Sequence, residues 1–311
     1  MSRPSGDMFS DSPPRPAVPL PNERTQVIRV GGLRLLCRHW GDASAPAVVL
    51  LHGLRGFSGT WRTLAASLAS DYHLIALDQR GRGESDWDPQ HNYYTDAYLS
   101  DLEGVVDHLA LTRFALLGHS MGGTTSYVYA SRHPERLAAL IIEDIAPGSS
   151  VRGRGAERII AEMANLPESF ATWAEARAYW RGQRPGVSEA ALEQRLVENL
   201  HESADGRIAW RYDARGIRQT RMNPDRGRIV DLWPVIGKLE VPTLLIRGER
   251  SDFCPADTVN EMCRRNARIT QVSVTNASHY VHDDAPIQFA EHVRGFLIRC
   301  GWTCSMPLKS A

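Results

Sequence analysis

Short apolar runs recur along the chain, and most of them lack alternation. AVVLL (Ala47 to Leu51), HLIALD (His73 to Asp78), FALLG (Phe114 to Gly118), LAALIIED (Leu137 to Asp144), PTLLIRG (Pro242 to Gly248) and ITQVSV (Ile269 to Val274) have this form. A run that is apolar on both faces predicts a strand covered on both sides. Between most of them lie segments with apolar residues at helical spacing, such as Thr60 to Ser70, Tyr98 to Leu109 and Ser120 to Arg132. The alternation predicts an α/β fold with a mostly parallel, doubly wound sheet. Ahead of it, TQVIRV, Gly31, Gly32 and LRLLCRHW predict an antiparallel hairpin.

One interval breaks the pattern. From Gly148 to about Arg228 no strand-like run occurs, while GAERIIAEMANL, TWAEARAYWRGQ and SEAALEQRLVENL carry amphipathic helical spacing. We expect a helical cap at 149–228 between two core segments, 25–148 and 229–299, over the carboxyl ends of the strands where such sheets bind ligands. Residues 1–24 are expected to form a disordered, proline-rich tail and 300–311 a C-terminal tail.

With 311 residues and 42% hydrophobic content, the chain can bury one large core with an insertion. Thirty-six basic residues balance thirty-six acidic ones. No global field therefore attracts nucleic acid or an anionic membrane. No apolar run reaches the roughly 18 residues of a membrane span, and the N-terminus lacks the apolar centre of a secretory signal, so a soluble, cytoplasmic protein is expected. The cysteines Cys37, Cys254, Cys263, Cys300 and Cys304 are odd in number and form no CxxC pair. That argues against a disulfide framework or a zinc site. Cys254, close to Asp252, reads as a small apolar residue in a loop.

Gly118-His119-Ser120-Met121-Gly122 follows a predicted strand and opens a predicted helix. This is the setting of a nucleophile elbow, in which small flanking residues let the backbone turn sharply and the helix N-terminus faces a developing oxyanion. A serine there needs a base. His279 in TNASHYVHDDAP follows the last predicted strand and is the candidate. His282 reads as a surface or supporting residue, His52 as ordering its own turn, and His119 as structural or lining a pocket. Two carboxylates at strand ends could orient the base, Asp144 in IIEDIAP and Asp252 in IRGERSD. Position favours Asp144, and Asp252 stays open as the alternative acid.

Taken in order, LLHGLRG, DQRGRGESDW, LLGHSMGG and SHYVHDDAP resemble the α/β-hydrolase superfamily over about Val27 to Arg299. The resemblance implies a serine hydrolase with an oxyanion hole made by the backbone amides of Leu54 and Met121. Within the superfamily, IIEDIAP together with IRGERSD is similar to a branch of small esterases and the hydrolase of acetamidomethylene succinate. That branch keeps a serine where an aspartate usually stands, here Ser251, and takes its acid from the position of Asp144. The serine at the elbow excludes the aspartate-nucleophile chemistry of haloalkane dehalogenases and epoxide hydrolases. The loop from Asp78 to Asp86 reads as a turn held by arginine and aspartate pairs. No metal or other cofactor is expected, since neither a P-loop nor a dinucleotide fingerprint occurs.

The expected reaction is hydrolysis of a small ester, lactone, thioester or amide. The alternatives are a carbon-carbon bond hydrolase of the meta-cleavage type, and a cofactor-free lyase or ligand receptor on the same fold. Arginines crowd the expected cap, in VRGRGAER, WRGQR and WRYDARGIRQTR. One facing the pocket would hold a carboxylate substrate, although the interleaved acids favour solvated helix faces for most of them. Trp173, Tyr179, Trp180, Trp210 and Tyr212 read mainly as packing between cap and core.

Overall fold

The computed structural model describes residues 10–15, 18–149, 151–183 and 188–303. Strands β1 (Arg24–Val30) and β2 (Leu33–Trp40) form the expected hairpin across Gly31 and Gly32, both at positive φ. Then come β3 (Ala47–Leu51), β4 (His73–Leu77), β5 (Phe114–His119) and β6 (Leu137–Glu143). The chain leaves the sheet for an insertion holding β7 (Ser169–Phe170), β8 (Leu200–Glu202) and β9 (Ile208–Trp210). It returns as β10 (Thr243–Gly248) and β11 (Ile269–Val274).

The main sheet runs β1-β2-β4-β3-β5-β6-β10-β11, antiparallel at the two β2 pairings and parallel in the rest. Every residue of β3, β4, β5, β6 and β10 is buried, as the unalternating apolar runs require. Helices Arg62–Leu68 and Pro286–Arg299 cover one face, where Leu64, Leu68, Phe289 and Val293 pack on Val48, Leu50 and Leu117. Helices Thr95–His108, Met121–Arg132 and Ala256–Arg265 cover the other, through Leu102, Val106, Tyr127 and Met262. Because the strands run in parallel, β5, β6, β10 and β11 all deliver their following loops to one edge.

The insertion is less purely helical than its sequence pattern suggests. Besides helices Arg154–Ala164, Trp173–Gln183, Glu189–Asn199 and Ala214–Met222, it holds a small antiparallel sheet ordered β7-β9-β8. Strands of two or three residues are too short to show a period. Phe170, Trp180, Trp210 and Tyr212 form an aromatic cluster there, with Trp210 ring centroids 5.4 Å from Phe170 and 5.0 Å from Tyr212. The same cluster meets the core at Tyr93, Tyr98 and Met121.

Parts of both expected tails lie among the described residues. Glu23 pairs with Arg38 at 2.6 Å and with Arg62 at 2.7 Å, and Arg177 donates to the Ser10 carbonyl at 2.6 Å. Two arginines thus hold Glu23 where the chain enters β1. At the other end, the Trp302 indole N–H donates to the Ala47 carbonyl at 3.0 Å. Cys304 lies outside the described residues. In the loop from Asp78 to Asp86, Arg80 is held by Asp88 at 2.8 Å and by both oxygens of Asp101 at 2.6 and 2.7 Å. Among the described residues no helix is long and apolar enough to cross a membrane.

The Glu23 anchor gives a pH-dependent stability. Burial pushes its carboxyl up, but the Leu20 amide and the two arginines outweigh this and lower it from an ordinary 4.5 to about 2. A depressed carboxyl stabilises fold above its unfolded pKa, and this contribution is lost as pH falls from 4.5 towards 2. We expect Glu23→Gln to lower Tm at pH 7 and to lose most of that effect near pH 2.5, read by calorimetry on both proteins. An equal Tm deficit at both pH values would contradict the assignment.

Candidate active site

The backbone turn at Ser120 sets the geometry. β5 ends at His119, the next helix starts at Met121, and Ser120 sits between them at φ 51° and ψ −114°. A non-glycine residue held there stores about 1–3 kcal/mol. The Ser120 amide donates to the Glu143 carbonyl at 3.0 Å, and the Ser120 carbonyl accepts from the Thr124 amide at 2.9 Å. Both flanking glycines are demanded by contact. A Cβ at Gly122 would lie 2.4 Å from the Leu51 carbonyl oxygen, and one at Gly118 would lie 2.5 Å from that of Gly122.

His279, in the loop after β11, places Nε2 at 3.0 Å from Ser120 Oγ and Nδ1 at 2.7 Å from Asp144 Oδ2. The pairing assigns the ring proton to Nδ1, so Nε2 accepts from the serine hydroxyl. Asp144 follows β6 directly, is fully buried and has φ 53°. Its Oδ1 accepts from the Gly248 amide at 2.8 Å, and Oδ2 also accepts a short hydrogen bond from the Ser251 hydroxyl. Phe253 stacks on the imidazole at 4.2 Å between centroids.

Asp252, the alternative acid, is turned elsewhere. Arg158 holds both of its oxygens, at 2.7 and 3.0 Å. Burial raises the Asp252 carboxyl, the Arg158 hydrogen bonds and charge lower it, and the net shift is downward. The structure thus brings Ser120, His279 and Asp144 together and leaves Asp252 in an ion pair with the insertion.

Leu54 and Met121 line the cavity beside Ser120. Arg82 ties them together, with Nε donating to the Leu54 carbonyl at 3.2 Å and Nη2 approaching Met121 Sδ at 3.5 Å. Sequence reasoning assigned Arg82 only to a turn. His52 behaves as expected of a turn-ordering residue, since its Nε2 accepts from the Gln79 amide at 3.1 Å, and burial lowers its pKa to about 3.

A second buried group braces the same loop. His282 donates from Nδ1 to Glu143 at 2.8 Å and from its amide at 2.9 Å, while His119 Nε2 donates to the His279 carbonyl at 2.9 Å. His282 is therefore a buried supporting residue. Burial holds the Glu143 carboxyl well above the usual carboxylate range, against the pull of the His282 amide. Glu143 went unread in the sequence because it ends an otherwise apolar run; the only signal was the adjacency of two acids in IIED. His119, Glu143 and His282 are, among the described residues, the group whose donor atoms all fall within 4.8 Å of one another. Glu143 already spends both oxygens on His282, so we read the trio as a brace for the His279 loop and not as a metal centre.

The cavity above Ser120 has a volume of about 1460 Å³ and is walled by the core and by the insertion, including Trp180 and Arg221. The family model described as alpha/beta hydrolase fold matches residues 46–286. The chain belongs to the α/β-hydrolase fold family. It is 31% identical over 271 residues, 86% of this chain and 95% of the other, to a Bacillus subtilis (strain 168) protein provisionally named 2-succinyl-6-hydroxy-2,4-cyclohexadiene-1-carboxylate synthase. It is 30% identical over 305 residues, 94% of this chain and 96% of the other, to the sn-1-specific diacylglycerol lipase ABHD11 of Mus musculus. Among solved structures, that of E-2-(acetamidomethylene)succinate hydrolase superposes with TM-score 0.79 at 25% identity, covering 89% of this chain and 100% of that one.

Glu143→Ala should lower unfolding free energy by about 3 kcal/mol, because two buried donors of His282 lose their acceptor. Urea unfolding of the variant beside Glu143→Gln checks this. A loss below about 1 kcal/mol would mean that the trio does not brace the loop.

Proposed function

We propose that this chain is a serine hydrolase that cleaves a small ester, lactone, thioester or amide through an acyl-enzyme on Ser120. The observation that carries the reading is the unbroken hydrogen-bond chain from Asp144 through His279 to Ser120 at the floor of the cavity. His279 Nε2 takes the Ser120 proton as Oγ attacks the carbonyl carbon. The amides of Leu54 and Met121 receive the oxyanion. The intermediate collapses as His279 gives that proton to the leaving group, and the same imidazole then activates water to release the acyl group. Asp144 holds the ring's tautomer and stabilises the imidazolium, while Gly248 and Ser251 keep the carboxylate in place. The insertion acts as a cap that limits access to small molecules. The hydrolase and lipase names of two relatives support the reaction class.

A second reading, a cofactor-free lyase, is favoured by the synthase name of the Bacillus relative. A lyase would use Ser120 and His279 for proton transfer and form no acyl-enzyme.

The acid is tested by a pair of variants assayed on 4-nitrophenyl butyrate. Asp144→Asn should lower kcat by about three to four orders of magnitude. Asp252→Asn should cost less than about tenfold, since it breaks only a partly exposed ion pair. A crippling Asp252→Asn beside an active Asp144→Asn would overturn the assignment.

A further inference from the structure

The charges lining the cavity are unbalanced although the chain as a whole is neutral. Its lining includes Arg152, Arg154, Arg221 and Arg226, for none of which an acid partner occurs among the described residues. The acids in the lining are Asp231 and Asp252, and the latter is committed to Arg158. Arg152, Arg154 and Arg226 are exposed at the mouth.

Arg221 differs from them. It stands on helix Ala214–Met222 in the insertion, lines the cavity, and is half-buried where the other three are exposed. Burial draws its guanidinium below the ordinary range, Tyr98 opposes this, and the like charge of Arg82 adds to it. Among the described residues Arg82, itself 1% exposed, donates only to uncharged acceptors, the carbonyls of Leu54 and Arg80, the Tyr98 hydroxyl and Met121 Sδ. Arg221 thus lines the cavity above Ser120 with no acid partner among the described residues, and Arg82 lies behind the wall that Tyr98 and Met121 form there. Uncompensated charge in a low-dielectric site is costly, so the arrangement favours an incoming anion. The planar fork of an arginine matches a carboxylate with two parallel hydrogen bonds.

We propose that Arg221, with Arg82 behind it, forms an anion subsite and that the substrate cleaved at Ser120 carries a carboxylate. This rests on the serine-hydrolase reading above and narrows it to a substrate class. Arg82 also grips Leu54 and Met121, so the carboxylate would be held beside the oxyanion amides and would bring the scissile carbonyl with it.

The test compares isosteric pairs on the full chain: monoethyl succinate, glutarate and adipate against ethyl butanoate, pentanoate and hexanoate, each by pH-stat. The best anionic ester should exceed its neutral partner in kcat/KM by at least roughly tenfold. In Arg221→Met and in Arg221→Gln the ratio should fall to within about twofold, whereas in the remote surface variant Arg264→Met it should persist. Because the readout is a ratio within one protein, partial loss of folded material does not move it. Calorimetric titration with adipate is run alongside. Turnover of both esters at similar rates in the wild type, or a preference that survives in both Arg221 variants, overturns the subsite and leaves the serine chemistry standing. Turnover of neither ester, with adipate binding that Arg221→Met abolishes, removes the hydrolase reading and keeps the subsite. Neither turnover nor adipate binding removes both.

Discussion

Ser120 occupies a backbone conformation at φ 51° that ordinary residues avoid, and the neighbouring strands hold it there. The Glu143 carbonyl takes its amide, and the close approach of Leu51 to Gly122 leaves no room for a wider turn. Once that turn is fixed, the position of Oγ above the sheet edge is fixed with it. The partners must then come from loops that reach the same edge. Parallel β6, β10 and β11 provide them: Asp144 after β6, Gly248 and Ser251 at β10, and His279 after β11.

The carboxylate of Asp144 is held from a neighbouring strand end. At β10 the chain offers Ser251 to the site, and its hydroxyl donates to Asp144. Asp252, one residue further along, pairs with Arg158 of the insertion. One strand end therefore contributes the carboxylate, and the next contributes two donors that keep it oriented. The same ion pair fastens the insertion to the core.

Legibility in the sequence follows the range of the interactions concerned. The doubly wound sheet was readable because each buried strand declares itself in a short apolar run. That Ser120 and His279 would meet was readable from motifs a few residues long at strand ends, and Asp144 could be preferred over Asp252 by position. Glu143, Arg82 and Arg221 were not readable as they stand. Their environments are made by residues far away in the chain: Glu143 by His282, Arg82 by Leu54, Tyr98 and Met121, and Arg221 by Tyr98 and Arg82. The small sheet β7-β9-β8 escaped notice because its strands are shorter than one recognisable period. The anchoring of Glu23 went unread because its partners, Arg38 and Arg62, lie 15 and 39 residues further along the chain.

The proposed chemistry requires that the turn, the imidazole and the carboxylate together make Ser120 a nucleophile. Intact-mass analysis and peptide mapping after exposure to an alkyl fluorophosphonate, with Ser120→Ala treated in parallel, test it most directly. The account predicts one adduct, on Ser120, absent from the variant. A folded wild-type protein that acquires no adduct, or an adduct that persists in Ser120→Ala, would contradict it.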